Sequence, residues 1–200
     1  MPAPTLWNVP NILTLMRVAL IPVLVLLAYW PVSFAWQNLL VAGIFLFAAI
    51  TDWFDGYLAR AWNQTSAFGR FLDPVADKLM VATALVVTVQ HHHTAWMALW
   101  ASVIIGREIA VSALREWMAE IGQHAKVSVA MVGKIKTTVQ MIALGFLLYR
   151  DPLWGLPIFL IGEWLLAAAA VLTLWSGFEY LRAAWPALVD DSPKRVDSSR

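Results

Sequence analysis

Apolar residues fall along this chain in six long blocks, at about 12–30, 36–60, 72–90, 95–118, 128–149 and 157–181. Each comes close to the ~20 residues that carry a helix across a ~30 Å hydrocarbon layer. None alternates apolar with polar at a period of two, as barrel strands do, and the Ala, Leu and Val runs predict helices. The first block has no basic segment before it and no small-residue cleavage pattern after it, and it leads straight into a second block. It therefore reads as a span rather than a removable leader. The expected fold is all-α, a polytopic membrane protein of six transmembrane helices in one domain over 1–185. The polar stretch 186–200, with Asp190, Asp191, Lys194, Arg195 and Arg200, is expected to be a disordered cytoplasmic tail.

Composition supports lipid as the solvent. Hydrophobic residues make up 60% of the chain and charged residues 14%, against the ~25% charged residues of soluble domains. Twelve tryptophans suit a membrane–water interface. Disorder and a nucleic-acid-binding module are excluded, and the lack of cysteine excludes a disulfide scaffold. The net charge of +1 matters less than where the charges fall. The connections near 31–35, 91–94 and 150–156 hold Arg150 alone, and the other thirteen Lys and Arg residues lie toward the opposite side. By the positive-inside rule both termini are cytoplasmic.

Ionisable residues within spans are costly and usually functional. The densest group lies in TDWFDGYLARAWNQTSAFGRFLDPVADKL, residues 51–79. Asp52 and Asp55 are three apart near the end of the second span, and Asp73 and Asp77 are four apart near the start of the third, so each pair shares a helix face. Asp52 lies ~12 Å of helix before Arg60, and Asp77 a similar distance past a cap at Thr65 or Ser66. A hairpin of the two helices brings all four to one depth. Such carboxylates would repel one another and take up protons unless cations intervened. Two hard divalent ions, Mg²⁺ foremost, suit oxygen-only ligands and would clamp an in-line displacement at phosphorus. Gly56, Ala59 and Gly69 leave room for a bulky ligand beside them. A proton or cation pathway, or paired charges at a helix end, fits the spacing alone as well.

The pattern Asp52-x2-Asp55-Gly56-x2-Ala59-Arg60-x8-Gly69-x3-Asp73-x3-Asp77 resembles the signature of the CDP-alcohol phosphotransferase family at every fixed position. The resemblance implies a six-helix membrane enzyme, a homodimer, with two divalent cations (Mg²⁺, or Mn²⁺) in a cytoplasm-facing cavity. Members displace CMP from a CDP-linked lipid with an alcohol. By this resemblance Asp52, Asp55, Asp73 and Asp77 are metal ligands, and Asp77 is also the catalytic base for the attacking hydroxyl. Asp52, Gly56, Ala59, Arg60 and Gly69 form the CDP-binding set. The fixed Gly-x2-Ala-Arg argues against a rival reading as an ion transporter, which needs no nucleotide pocket.

Three further stretches, NVPNILTLMR (8–17), GREIAVSALREWMAEIG (106–122) and VGKIKTTVQM (132–141), resemble the bacterial branch of that family. This branch joins CDP-diacylglycerol to sn-glycerol 3-phosphate in the inner membrane. An acceptor with its own phosphate needs cations, and Arg107, Arg115, Lys134 and Lys136 supply candidates. Arg107 and Lys134 lie roughly 18 and 10 Å of helix from the expected span ends, and function is favoured for both. Arg115, Lys126 and Lys136 read equally well as residues that mark the inner side or snorkel to headgroups. Glu108, four residues before Ser112, is placed to hold an arginine. Another acceptor, a lipid alcohol or inositol phosphate, is the alternative. Asn11, Thr14 and Arg17 either border the CDP pocket or anchor the first helix. His91–His93 read as an outer loop at the headgroups, the Asn63 sequon as meaningless in a cytoplasmic turn, and the tryptophans as an interfacial belt. Glu163 lies within the sixth span with no evident partner.

Overall fold

The structure is a computed structural model that describes residues 8–32, 34–61, 66–122 and 130–189. Within them lie six helices: α1 Val9–Ala28, α2 Gln37–Ala61, α3 Ala67–His91, α4 Ala95–Glu120, α5 Ala130–Tyr149 and α6 Ile158–Val189. Each falls on one of the six apolar blocks. The last one continues past Pro186 to Val189, four residues beyond the expected domain end, while 190–200 lie outside the described residues. A proline inside a membrane helix is tolerated because neighbouring helices satisfy the freed carbonyl; Pro22 in α1 and Pro74 in α3 are further instances.

Local chemistry sets the helix ends. Of the two expected caps, Ser66 starts α3 by accepting from the Gly69 amide at 2.9 Å, and Thr65 lies outside the described residues. Thr94 caps α4 in the same way through the Met97 amide. Between α5 and α6 the chain turns tightly at Leu153–Leu156, with positive φ at both Trp154 and Gly155, as a two-residue primed turn requires.

The helices run alternately up and down. Every odd helix starts, and every even helix ends, where the carboxylates lie (the carboxylate end). α1 packs on α2 and α3, α5 on α2 and α6, and α4 on α3 and α6. Leu24, Val41, Phe45, Leu85, Leu144 and Leu166 form a buried core. Alanines such as Ala48, Ala84 and Ala170 are wholly buried beside them, and small residues let membrane helices approach closely. α1, α4 and α6 are apolar over a full membrane crossing. The apolar parts of α2 and α5 are shorter, Gln37–Asp52 and Ile135–Tyr149, because their ends near the carboxylates carry the polar chemistry. At the far end, Tyr29 stacks on His91 and His92 on Phe159, 3.8 Å between ring centroids. Burial, helped by the Arg150 charge, lowers the His92 pKa below the ordinary imidazole value.

Candidate active site

Asn11, Thr14 and Arg17 recur every three residues and so form one stripe on α1. Each of them meets the α2–α3 hairpin. Arg17 Nη1 donates to Asp52 Oδ1 at 2.5 Å, and Thr14 Oγ1 donates to Asp73 Oδ1 at 2.5 Å. The Ser66 hydroxyl donates to Asn11 Oδ1 at 2.9 Å. Arg17 is 1% exposed, while its partner carboxylate on Asp52 is 41% exposed. The stripe therefore holds two signature carboxylates from behind and leaves Asp52 open on its other side. Gly69 has a purpose in this packing: a Cβ there would sit 2.6 Å from Asn11 Oδ1. The space that glycine leaves is taken by α1.

Asp52 and Asp77 line one cavity of about 470 Å³ between α2, α3 and α5. Thr137 and Thr138 of α5 complete its polar part, and apolar residues such as Leu46, Ile50, Met141 and Ile142 continue it along the α2–α5 cleft. Sequence reasoning did not single out the two threonines. The available signal was their place directly after Lys136 in VGKIKTTVQM, with Thr138 one turn from Lys134 on the same face. Asp55, Gly56, Ala59 and Arg60 occupy the end of α2 in backbone terms, but their side chains, like that of Lys134, lie outside what the structure describes. Among the described residues no three Asp, Glu, His or Cys side chains gather closely enough to hold a metal.

The cations divide between two neighbours. Lys136 is 3% exposed and lies 3.8 Å from Glu108 Oε1, joining α5 to α4 beside the carboxylate cavity. Glu108 was expected to hold an arginine; in the structure its partner is this lysine. The reason is helical register: Arg107 and Glu108 point ~100° apart around α4, so they cannot serve the same partner. Arg107 instead turns to α6, where Nε donates to the Thr173 carbonyl at 3.2 Å and Nη2 to Ser176 Oγ at 2.9 Å. Arg115 also leans on α6, 5.5 Å from the Tyr180 ring centre. An apolar cleft that ends at carboxylates and hydroxyls suits a ligand with hydrocarbon chains and a charged end.

The model of the CDP-alcohol phosphatidyltransferase family matches residues 7–175. A protein of Salmonella choleraesuis (strain SC-B67) is 54% identical over 188 residues, covering 92% of this chain and 98% of its own. A protein of Shigella flexneri serotype 5b is 53% identical over 184 residues, and one of Escherichia coli (strain K12) is 53% identical over 188, each with the same coverage. All three are named CDP-diacylglycerol–glycerol-3-phosphate 3-phosphatidyltransferase.

Proposed function

Because the chain belongs to the CDP-alcohol phosphatidyltransferase family, we propose that it is an enzyme joining CDP-diacylglycerol to sn-glycerol 3-phosphate. The products are phosphatidylglycerol phosphate and CMP. The observation that carries this reading is the end-to-end similarity to relatives named for that reaction, and the cavity's chemistry supports it. The α2–α5 cleft offers an apolar path for the donor's acyl chains up to Asp52 and Asp77. There the glycerol phosphate hydroxyl attacks the phosphatidyl phosphorus, and the bond from that phosphorus to the CMP oxygen breaks. Asp77 takes the proton that the hydroxyl loses, as a carboxylate within reach can. Asp52, Gly56, Ala59 and Arg60 hold the CDP portion, with Arg60 as a cation that stays charged, while Gly69, which the resemblance includes in this set, serves instead the close approach of α1.

Asp52, Asp55, Asp73 and Asp77 would hold the divalent cations, Mg²⁺ or Mn²⁺. The donor set fits them: it is carboxylate oxygen alone, which hard cations prefer, and Asp55 stands one turn beyond Asp52. Ions bound there supply neutralisation of the pyrophosphate charge. For the acceptor's phosphate the candidates are Arg107, Lys134, Arg115 and Lys136. Lys136 has the most support, since it is buried and directly precedes Thr137, which lines the cavity. Lys134 follows, one turn before Thr138. The Lys/Arg asymmetry supports an inner-membrane protein with both termini and the site on the cytoplasmic side, and the family resemblance supports a homodimer.

Purified protein supplied with CDP-diacylglycerol, Mg²⁺ and one alcohol at a time tests the reading through CMP release. Glycerol 3-phosphate should be the best acceptor, ahead of glycerol, inositol phosphate and phosphatidylglycerol. A faster reaction with another alcohol would change the acceptor. No CMP release with any of them would end the transferase reading.

A further inference from the structure

Glu163 takes no part in the chemistry above, yet a carboxylate in a membrane span calls for a partner. It lies ~8 Å of helix past the start of α6, at the end of the bundle away from the signature aspartates. It has no hydrogen bond or ion pair among the described residues. It lines a cavity of about 440 Å³ between α4 and α6, together with Trp96, Trp100 and Trp164. That volume falls within the ~300–1,000 Å³ of small-ligand sites. Trp96 and Trp100 stack, their ring centres 6.2 Å apart and their planes 24° apart. Trp96 and Trp164 are exposed on the surface that faces lipid. Met97 and Leu160, each the third residue of its helix, line the same cavity nearer the starts of α4 and α6, and Ala167 lines it one turn beyond Glu163.

An interfacial belt accounts for tryptophans, but not for a carboxylate set among three of them. Aromatic faces attract a cation through the ring quadrupole, tryptophan most strongly, and a carboxylate adds the opposite charge. Both features select the same ligand chemistry, and the opening toward lipid selects its source. We propose that Glu163 and the faces of Trp96, Trp100 and Trp164 bind the ammonium headgroup of a phospholipid in the leaflet away from the carboxylate end, its acyl chain running past Ala167 toward the middle of the membrane. This site is separate from the α2–α5 cleft and does not depend on the reaction assigned there.

The test uses native mass spectrometry of the full chain in detergent. Dioleoylphosphatidylethanolamine competes with dioleoylphosphatidylglycerol, which has the same chains and no ammonium. The parent protein should retain the amine lipid preferentially. Glu163→Gln should weaken that retention about tenfold, the scale of one charge-assisted contact, and leave retention of the glycerol lipid unchanged. Trp100→Leu should act in the same direction, and Trp154→Leu, outside the groove, should have no effect. Gel-filtration elution reports whether each variant is folded. Should Glu163→Gln fail to fold, Glu163→Asp, which keeps the charge, must keep the preference. Equal retention of both lipids by the parent, or an unchanged preference in Glu163→Gln, overturns the proposal. So does a shift in the monomer–dimer ratio of Glu163→Gln with lipid retention unchanged, since the carboxylate would then serve a second copy of the chain.

Discussion

Lys136 is almost wholly buried and keeps one carboxylate, Glu108, at 3.8 Å. A lysine serving only to mark the inner side of the membrane would extend to the headgroups instead. If Lys136 holds the acceptor's phosphate, Lys136→Ala should remove a charge-assisted bond of ~1.5–3 kcal/mol. That corresponds to about a 10- to 150-fold rise in KM for glycerol 3-phosphate, with KM for CDP-diacylglycerol unchanged. A rise confined to CDP-diacylglycerol would move the lysine to the donor site. Arg107 differs because two of its donors already serve α6. Arg107→Ala should therefore lower the unfolding temperature in detergent, and should raise KM for glycerol 3-phosphate less than Lys136→Ala does. Asp77 is the last carboxylate of the signature and shares the cavity with Asp52. Asp77→Asn should still bind CDP-diacylglycerol while turnover falls by about 10²-fold or more, the usual contribution of a general base. Near-normal turnover would place the base elsewhere.

Between helices, the stripe on α1 decides how the carboxylate hairpin is held. Gly69 and Asn11 fit only together: adding one methyl at 69 pushes on Asn11 Oδ1 and on its bond from Ser66. Gly69→Ala should cost about 1–3 kcal/mol, the range for overpacking, seen as a lower unfolding temperature of the full chain. Asn11→Ala removes the obstruction, so the double variant should lose less stability than the two single losses added together. Additive losses would show that α1 and α3 do not meet there. The helices themselves were legible in the sequence, since six apolar blocks of membrane length leave little choice of element. Their neighbours were not. Nothing in the order of residues says that α4 lies against α6, yet this alone sends Arg107 to Ser176 while Glu108 turns toward Lys136. Thr137 and Thr138 were missed for the same reason: two hydroxyls in an apolar run gain meaning only once α5 is known to face Asp52. The meeting of Asp52 and Asp77 in one cavity was legible because the spacing is local to one hairpin.

The bundle as a whole is polarised in charge, and the proposed direction across the membrane follows from that. Among the described residues the carboxylate end carries every Lys and Arg except Arg150, which lies at the far end. That single exception has a local cause. Arg150 directly follows the last residue of α5, where its cation meets the negative end of that helix's dipole. One such cation does not offset the excess at the opposite end, and the proposal that the carboxylate end faces the cytoplasm rests on that excess through the positive-inside rule. A nucleotide-linked lipid and a phosphorylated alcohol would both be available on that side. The chain has no cysteine, so a single introduced thiol reports unambiguously. Val32, between α1 and α2, and Glu120, at the end of α4, are both exposed and stand at opposite ends of the bundle. In sealed right-side-out vesicles a membrane-impermeant maleimide should label Val32→Cys and spare Glu120→Cys, and inside-out vesicles should reverse the pattern. Labelling of both from one side would break the odd number of crossings, those of α2, α3 and α4, that separates these two positions. A clean pattern of the opposite sense would keep the six crossings and invert the molecule. The aspartates would then face away from the cytoplasm, where neither substrate of the proposed reaction is supplied, and the assignment of the α2–α5 cleft to that reaction would fail with the orientation.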